Sequence, residues 1–302
     1  MTRKWTPLLA ALLSAGAIAD NATQFSKQVP VGAQDRVSVS NIAGSVTITT
    51  WDRPEVDVQG ELGSGIERVD VRQESGNIEI RVVVKEGQGG WRNYEGWKNS
   101  EARLQIRLPA DVQLEASTVS AQITVAGMRG KVRLKSVSGD IRSDFVGTDM
   151  DARTVSGIIG LSGGNAHSRL RASSVSGDVD LIHIAGDVEV RTTSGGIDIE
   201  MQGADEVRAQ SVSGYVGVRG PLASDGHLDL QSVSGRIKIA VQAAEGYRYD
   251  VSSFSGTIHN CFGYEVQRSE IRSSERLEGV RGEGKGSISV KGHSGIVELC
   301  DK

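Results

Sequence analysis

The sequence predicts an all-β chain wound as a single-chain β-solenoid, β-helix-like, with coils of about 19 residues. Three observations lead there. A Ser-Val-Ser-Gly turn recurs at near-constant spacing. Apolar and polar residues alternate on both sides of each turn. The 302-residue chain carries 38 Gly and few aromatics, a composition of strands and tight turns, not of helices.

The turns define the frame. Ser136-Val137-Ser138-Gly139 recurs as Thr154-Val155-Ser156-Gly157, Ser174-Val175-Ser176-Gly177 and Thr192-Thr193-Ser194-Gly195. Ser211-Val212-Ser213-Gly214, Ser232-Val233-Ser234-Gly235 and Ser253-Phe254-Ser255-Gly256 follow, and Gly292-His293-Ser294-Gly295 is a degenerate last copy. The glycine spacings are 18, 20, 18, 19, 21, 21 and 39. Ser117-Thr118-Val119-Ser120-Ala121 reads as an earlier copy with Ala for Gly, while Gly44 and Gly76 recur less regularly. At each turn the glycine is expected to take a backbone conformation that a Cβ would strain.

Alternation at two residues marks half-buried strands. Val132-x-Leu134 and Val188-x-Val190 precede turns; Val179-x-Leu181 and Ile237-x-Ile239 follow them. One unit is too short to bury its apolar face alone, so about ten coils must stack, each about 4.8 Å from the next. Four inward side chains per coil give roughly 6–12 kcal/mol of gross burial. A sandwich of antiparallel hairpins is the rival, but Ser and Gly columns in one register favour the solenoid. Parity leaves one question. If Val132 and Leu134 point inward, Val137 points outward. Either the chain bends at the Ser and tucks the Val into a buried corner, which is the expectation, or a valine column lies on the surface.

The expected organisation is a signal peptide over 1–19 and one solenoid domain over 20–302. Arg3 and Lys4 precede an apolar run to Ile18, and Ala17-Ile18-Ala19 forms a small-x-small cleavage site before Asp20. Cleavage would take the net charge from -4 to -6, which argues against nucleic acid as a partner. No later stretch is apolar enough for stable membrane insertion. Within the domain, 35–120 holds less regular coils, 121–261 the regular repeats, and 262–302 a charged loop and the final coil.

Repeated Ser-Val-Ser-Gly-Asp-Ile-like units, carried by Ser136–Ile141 and Ser174–Val179, resemble the bacterial β-strand-repeat family known as "putative adhesin", a domain of unknown function. The C-terminal run from Phe254 to Gly263, a charged excursion and a final strand pair ending at Cys300 resemble it too. The resemblance covers about residues 117–300, and more loosely back to Val37. It implies the solenoid and an envelope location. It implies no established activity.

Cys261 and Cys300 each stand five residues after a repeat glycine, Gly256 and Gly295. If the 39-residue gap is one coil plus a loop, they are neighbours and suit a disulfide. A hidden extra coil would hold them about 10 Å apart, two strand spacings. The one-coil reading is preferred, because Phe262–Lys285 has no Ser-x-Ser-Gly turn and mixes four Arg with acidic residues, as a solvated excursion does. A staple there would contribute about 3 kcal/mol.

Candidate chemistry is sparse. His167, His183, His227, His259 and His293 share no ligand spacing. Gly279–Gly286 mimics a phosphate loop but ends in Gly where Ser or Thr is needed. Asp140 and Asp178 follow repeat glycines, yet that slot elsewhere holds Ile158, Gly196, Tyr215, Arg236 and Thr257, so no acidic ladder forms. No enzyme activity, metal or cofactor is expected. Trp91, Tyr94 and Trp97 lie in a Gly-rich insert, 85–100, that either folds back as a lid or binds a partner. The expectation is therefore an exported, non-catalytic scaffold or interaction protein, periplasmic rather than surface-borne or secreted, with an unknown envelope protein or glycan as partner. A carbohydrate-active β-helix enzyme and a self-assembling envelope polymer are the alternatives.

Overall fold

The computed structural model describes residues 23–86, 100–145, 149–164, 168–269 and 274–300. The N-terminal part contains β1 (Thr23–Pro30), β2 (Arg36–Asn41), β3 (Ala43–Trp51), β4 (Glu55–Leu62), β5 (Ile66–Glu74), β6 (Asn77–Val84) and β7 (Glu101–Pro109). The regular repeats supply β8 (Gln113–Thr118), β9 (Gln122–Met128), β10 (Val132–Lys135), β11 (Ile141–Phe145), β12 (Met150–Arg153), β13 (Ile159–Ser162), β14 (Ser168–Ser174) and β15 (Val179–Thr192). One unbroken ladder segment, β16 (Ile197–Ala243), runs through two turns. The chain ends with β17 (Gly246–Ser253), β18 (Thr257–Asn260), β19 (Gln267–Arg268), β20 (Glu275–Gly282) and β21 (Gly286–Cys300).

The protein is a β-solenoid. Strands before the turns stack in parallel, so Val132 lies opposite both Leu114 and Met150, and Leu134 opposite Ala116 and Ala152. Strands after the turns form a second parallel ladder, where Ile141 lies opposite Ile123 and Ile159. Parallel register puts like on like. The inward rows of the two ladders meet as one continuous core in which Leu134, Ile141, Ile159, Val179 and Ile197 are fully buried. Outward residues are charged and pair along and between coils, as Arg171 does with Glu189 at 3.0 Å.

Chain order and stacking order part at both ends. Strand β21 pairs in parallel with β16 on one side and with β17 and β18 on the other. The last coil in sequence is thus inserted beneath the coil that precedes it, not laid on top as sequential stacking would have it. The N-terminal end repeats the device: β2 lies between β6 and β8, and β3 between β7 and β9.

Antiparallel strands then cover the outermost rungs. β5 pairs with β6, β4 with β7, β1 with β4, β20 with β17 and β19 with β20. Open sheet edges invite pairing with other chains, and here side chains occupy edge groups. Lys27 donates to the Val71 carbonyl at 2.8 Å and Gln73 to the Pro30 carbonyl at 2.9 Å, tying β1 to β5. Glu275 accepts from the Ile258 N–H at 2.7 Å and pairs with Arg268 at 2.9 Å. The charged segment after Phe262 is therefore a strand cover with Leu277 buried, where the sequence suggested a solvated excursion. Cys261 and Cys300 are bridged with their Cα atoms 5.0 Å apart, the neighbour relation of the one-coil reading.

Candidate interaction surface

Each Ser-Val-Ser-Gly corner assigns one task per residue. The first hydroxyl is buried and accepts the N–H of its own glycine: Gly139 to Ser136 at 2.8 Å, Gly177 to Ser174 at 2.8 Å, Gly195 to Thr192 at 3.0 Å. The second Ser donates its backbone N–H to the coil before, as Ser156 does to Val137 at 2.9 Å and Ser176 to Val155 at 2.8 Å. The glycine lies directly on the preceding one. A Cβ on Gly177 would sit 1.8 Å from the Gly157 carbonyl oxygen, and one on Gly157 2.2 Å from that of Gly139. The column continues through Gly214, Gly235, Gly295 and Gly256, in that stacking order. The expected backbone reason for these glycines is corrected: only Gly214, Gly235 and Gly295 have positive φ, and close approach is the requirement shared by all.

In two corners the closing bond is absent. The hydroxyls of Ser211 and Ser232 are buried without a hydrogen-bond partner, and these are the turns through which β16 runs unbroken. This contrast yields a prediction. Ser174→Ala leaves the Gly177 N–H unsatisfied and is expected to cost about 1–2 kcal/mol, whereas Ser211→Ala should cost little. Urea unfolding measures both, and equal losses would contradict the role given to the hydroxyl.

Between the two serines lies the residue whose direction the sequence left open, and the expectation of a tucked corner is overturned. Val119, Val137, Val155, Val175, Val212 and Val233 are between 39% and 50% exposed, and Phe254 is 53% exposed. Alternation is kept up to the first hydroxyl. The next two residues both face out, because their backbones are spent on bonds to the neighbouring coil and their side chains have no inward path. Exposed Thr193 and His293 fill the remaining rungs. The result is a straight, mostly β-branched ladder along the rod, ending in a stack of Phe254 on His293 with centroids 5.0 Å apart and planes 4° from parallel.

A shallow groove of about 510 Å³ follows this ladder near its C-terminal end. One wall is Val212, Val233 and His293; the other is the outward row just before each first hydroxyl, Arg191, Gln210, Gln231 and Lys291. Ser211 and Ser232 lie in the floor. Arg191 pairs with Glu189 and donates to Gln210 at 3.2 Å. Lys291 makes no ion pair among the described residues. The sequence reading missed this row. Its signal is a repeated position, the residue before each first Ser, but Lys291 meets Gln231 only because the last coil is inserted out of order.

The other residues singled out in the sequence have different fates. Asp140 accepts the Ile158 N–H at 3.0 Å and Asp178 the Gly196 N–H at 2.7 Å, so both cap backbone in the next coil. Burial raises the Asp180 carboxyl above its usual range, helped by Asp178 and Asp198. Among the described residues no cluster of three His, Cys, Asp or Glu could hold a metal, and no helix is long and apolar enough to cross a membrane. Gly279–Gly286 is the end of β20, a turn with positive φ at Gly282 and Gly284, and the start of β21. Trp91, Tyr94, Trp97 and His167 lie outside the described residues.

Comparison with known proteins adds a family. The family model described as Toastrack DUF4097 matches residues 34–246. No curated protein matches the chain. Among solved structures, a "putative lipid binding protein" of Parabacteroides distasonis is 14% identical, with 93% of this chain and 98% of that one covered and a TM-score of 0.47. A "putative adhesin" of Parabacteroides merdae is 10% identical, with coverage of 92% and 97% and a TM-score of 0.46. A "putative cell adhesion protein" of Clostridium sporogenes is 9% identical, with coverage of 93% and 100% and a TM-score of 0.32.

Proposed function

The chain belongs to the Toastrack DUF4097 family, and on that premise we propose that it is an exported, adhesin-like, non-catalytic scaffold that engages an envelope partner through its valine ladder. The observation that carries this reading is the ladder itself. Contiguous exposed apolar surface is costly to leave in water and marks interaction sites, and here it is held on a frame whose every rung is bonded to the next. The carboxylates in the slot after the repeat glycines, Asp140 and Asp178, are committed to backbone N–H groups, which favours a scaffold over a β-helix enzyme. The covered rungs at both ends favour a discrete rod over an end-to-end polymer. The signal-like segment 1–19 and the Cys261–Cys300 bridge support export, with the periplasm as destination.

Val137→Asp with Val155→Asp tests the reading. Both side chains are already exposed, so the variant should fold with an unchanged circular dichroism spectrum. Sedimentation with a washed envelope fraction should drop at least tenfold relative to the unaltered protein. Equal sedimentation of the two would remove the ladder as the working surface.

A further inference from the structure

We infer that the groove beside the C-terminal end of the ladder binds a linear, carboxylate-bearing polysaccharide; this rests on the scaffold reading and names the ligand class of its surface. The charge pattern is the first argument. Outward faces elsewhere mix signs: Lys135 meets Glu115, Arg153 meets Asp151, and Arg219 meets Asp198 and Glu200. The groove lining contains Arg191 and Lys291 and no carboxylate, in a chain of net charge -4. An anion placed there meets the ammonium of Lys291, which makes no ion pair among the described residues, and, three rungs away beside Gln210, the guanidinium of Arg191, which Glu189 also holds.

The second argument is the kind of polar group present. Gln210 and Gln231 offer planar carboxamides and Ser173 and Thr193 offer hydroxyls, a set that matches the mixed donors and acceptors of sugar hydroxyls. The valine wall and the flat Phe254–His293 stack suit the apolar C–H faces of sugar rings. The third argument is shape. The lining spans five rungs, roughly 20 Å at about 4.8 Å per rung, a straight channel for an extended polymer.

An extended acidic peptide fits less well. Such peptides take their affinity from main-chain bonds to a sheet edge, and the corner amides here are already used between coils. Ser194 donates to Val175 at 2.9 Å and Ser213 to Thr193 at 2.8 Å.

Isothermal titration of the full chain with polygalacturonate, neutral dextran and poly-glutamate tests the inference. Binding to polygalacturonate, absence of binding to dextran, and at least a tenfold loss in Lys291→Glu are expected. Gln231→Ala, which keeps the charge, should weaken polygalacturonate severalfold and separate sugar recognition from simple charge attraction. Poly-glutamate binding as tightly as polygalacturonate would overturn the glycan in favour of an acidic peptide. If none of the three polymers binds while Val137→Asp with Val155→Asp still abolishes envelope sedimentation, the glycan inference fails and the scaffold reading stands. If that sedimentation is also unaffected, both fail.

Discussion

Gly177→Ala is expected to destabilise the protein by about 3 kcal/mol or more, the upper range for overpacking a dense interior. The new Cβ would stand 1.8 Å from the Gly157 carbonyl oxygen, and the oxygen is backbone held in a ladder, so neither partner can swing aside. Relief requires two coils to separate, which lengthens the bonds that the second serines make between them. Gly160→Ala is the matched control. It lies in the next strand region, yet its Cβ would meet nothing nearer than Arg142 Cγ at 4.0 Å. Alanine there should be neutral or slightly stabilising, since it reduces the freedom of the unfolded chain. Urea unfolding followed by circular dichroism compares the two. Similar midpoints would mean that the glycine column is a habit of sequence, not a packing requirement.

The second large effect is at the C-terminal end. Cys261→Ser with Cys300→Ser is expected to cost about 3–4 kcal/mol on the chain-entropy estimate for a loop of this length. The loss should be local, because in a stack of repeats each coil contacts only its neighbours. The inserted coil reaches its place between β16 and β17 only if the chain doubles back, and the bridge ties that coil to the one covering it. Hydrogen exchange should therefore rise in β17, β18, β20 and β21, while β8 to β14 keep their protection. Uniform acceleration along the whole rod would contradict a local role.

The parts of this architecture that sequence reveals are those repeated in every coil. A column of inward residues two apart, a hydroxyl and a glycine at fixed offsets are periodic facts, and parallel stacking in register follows from them. Parity even pointed Val137 outward. The expectation of a tucked corner came from the general preference to bury valine, and it failed because the corner backbone is committed to inter-coil bonds that hold the side chain out. The stacking order at the ends was not legible. Cys261 and Cys300 occupy equal slots whichever coil lies on top, so their spacing predicts that they meet without saying how. The groove inherits that blindness. Lys291 and His293 join Gln231 and Val233 across sixty residues of sequence, and no local pattern announces it.

The central claim is that the valine ladder with the groove beside it, and not the mixed-charge faces elsewhere on the rod, is what a partner meets. A diazirine-bearing side chain placed at Val155 tests it most directly, with the same group at exposed Arg142 on the neighbouring face as reference. Irradiation in intact cells should give a heavier adduct from Val155 and none from Arg142. Adducts of equal yield at both positions, or from Arg142 alone, would contradict the account.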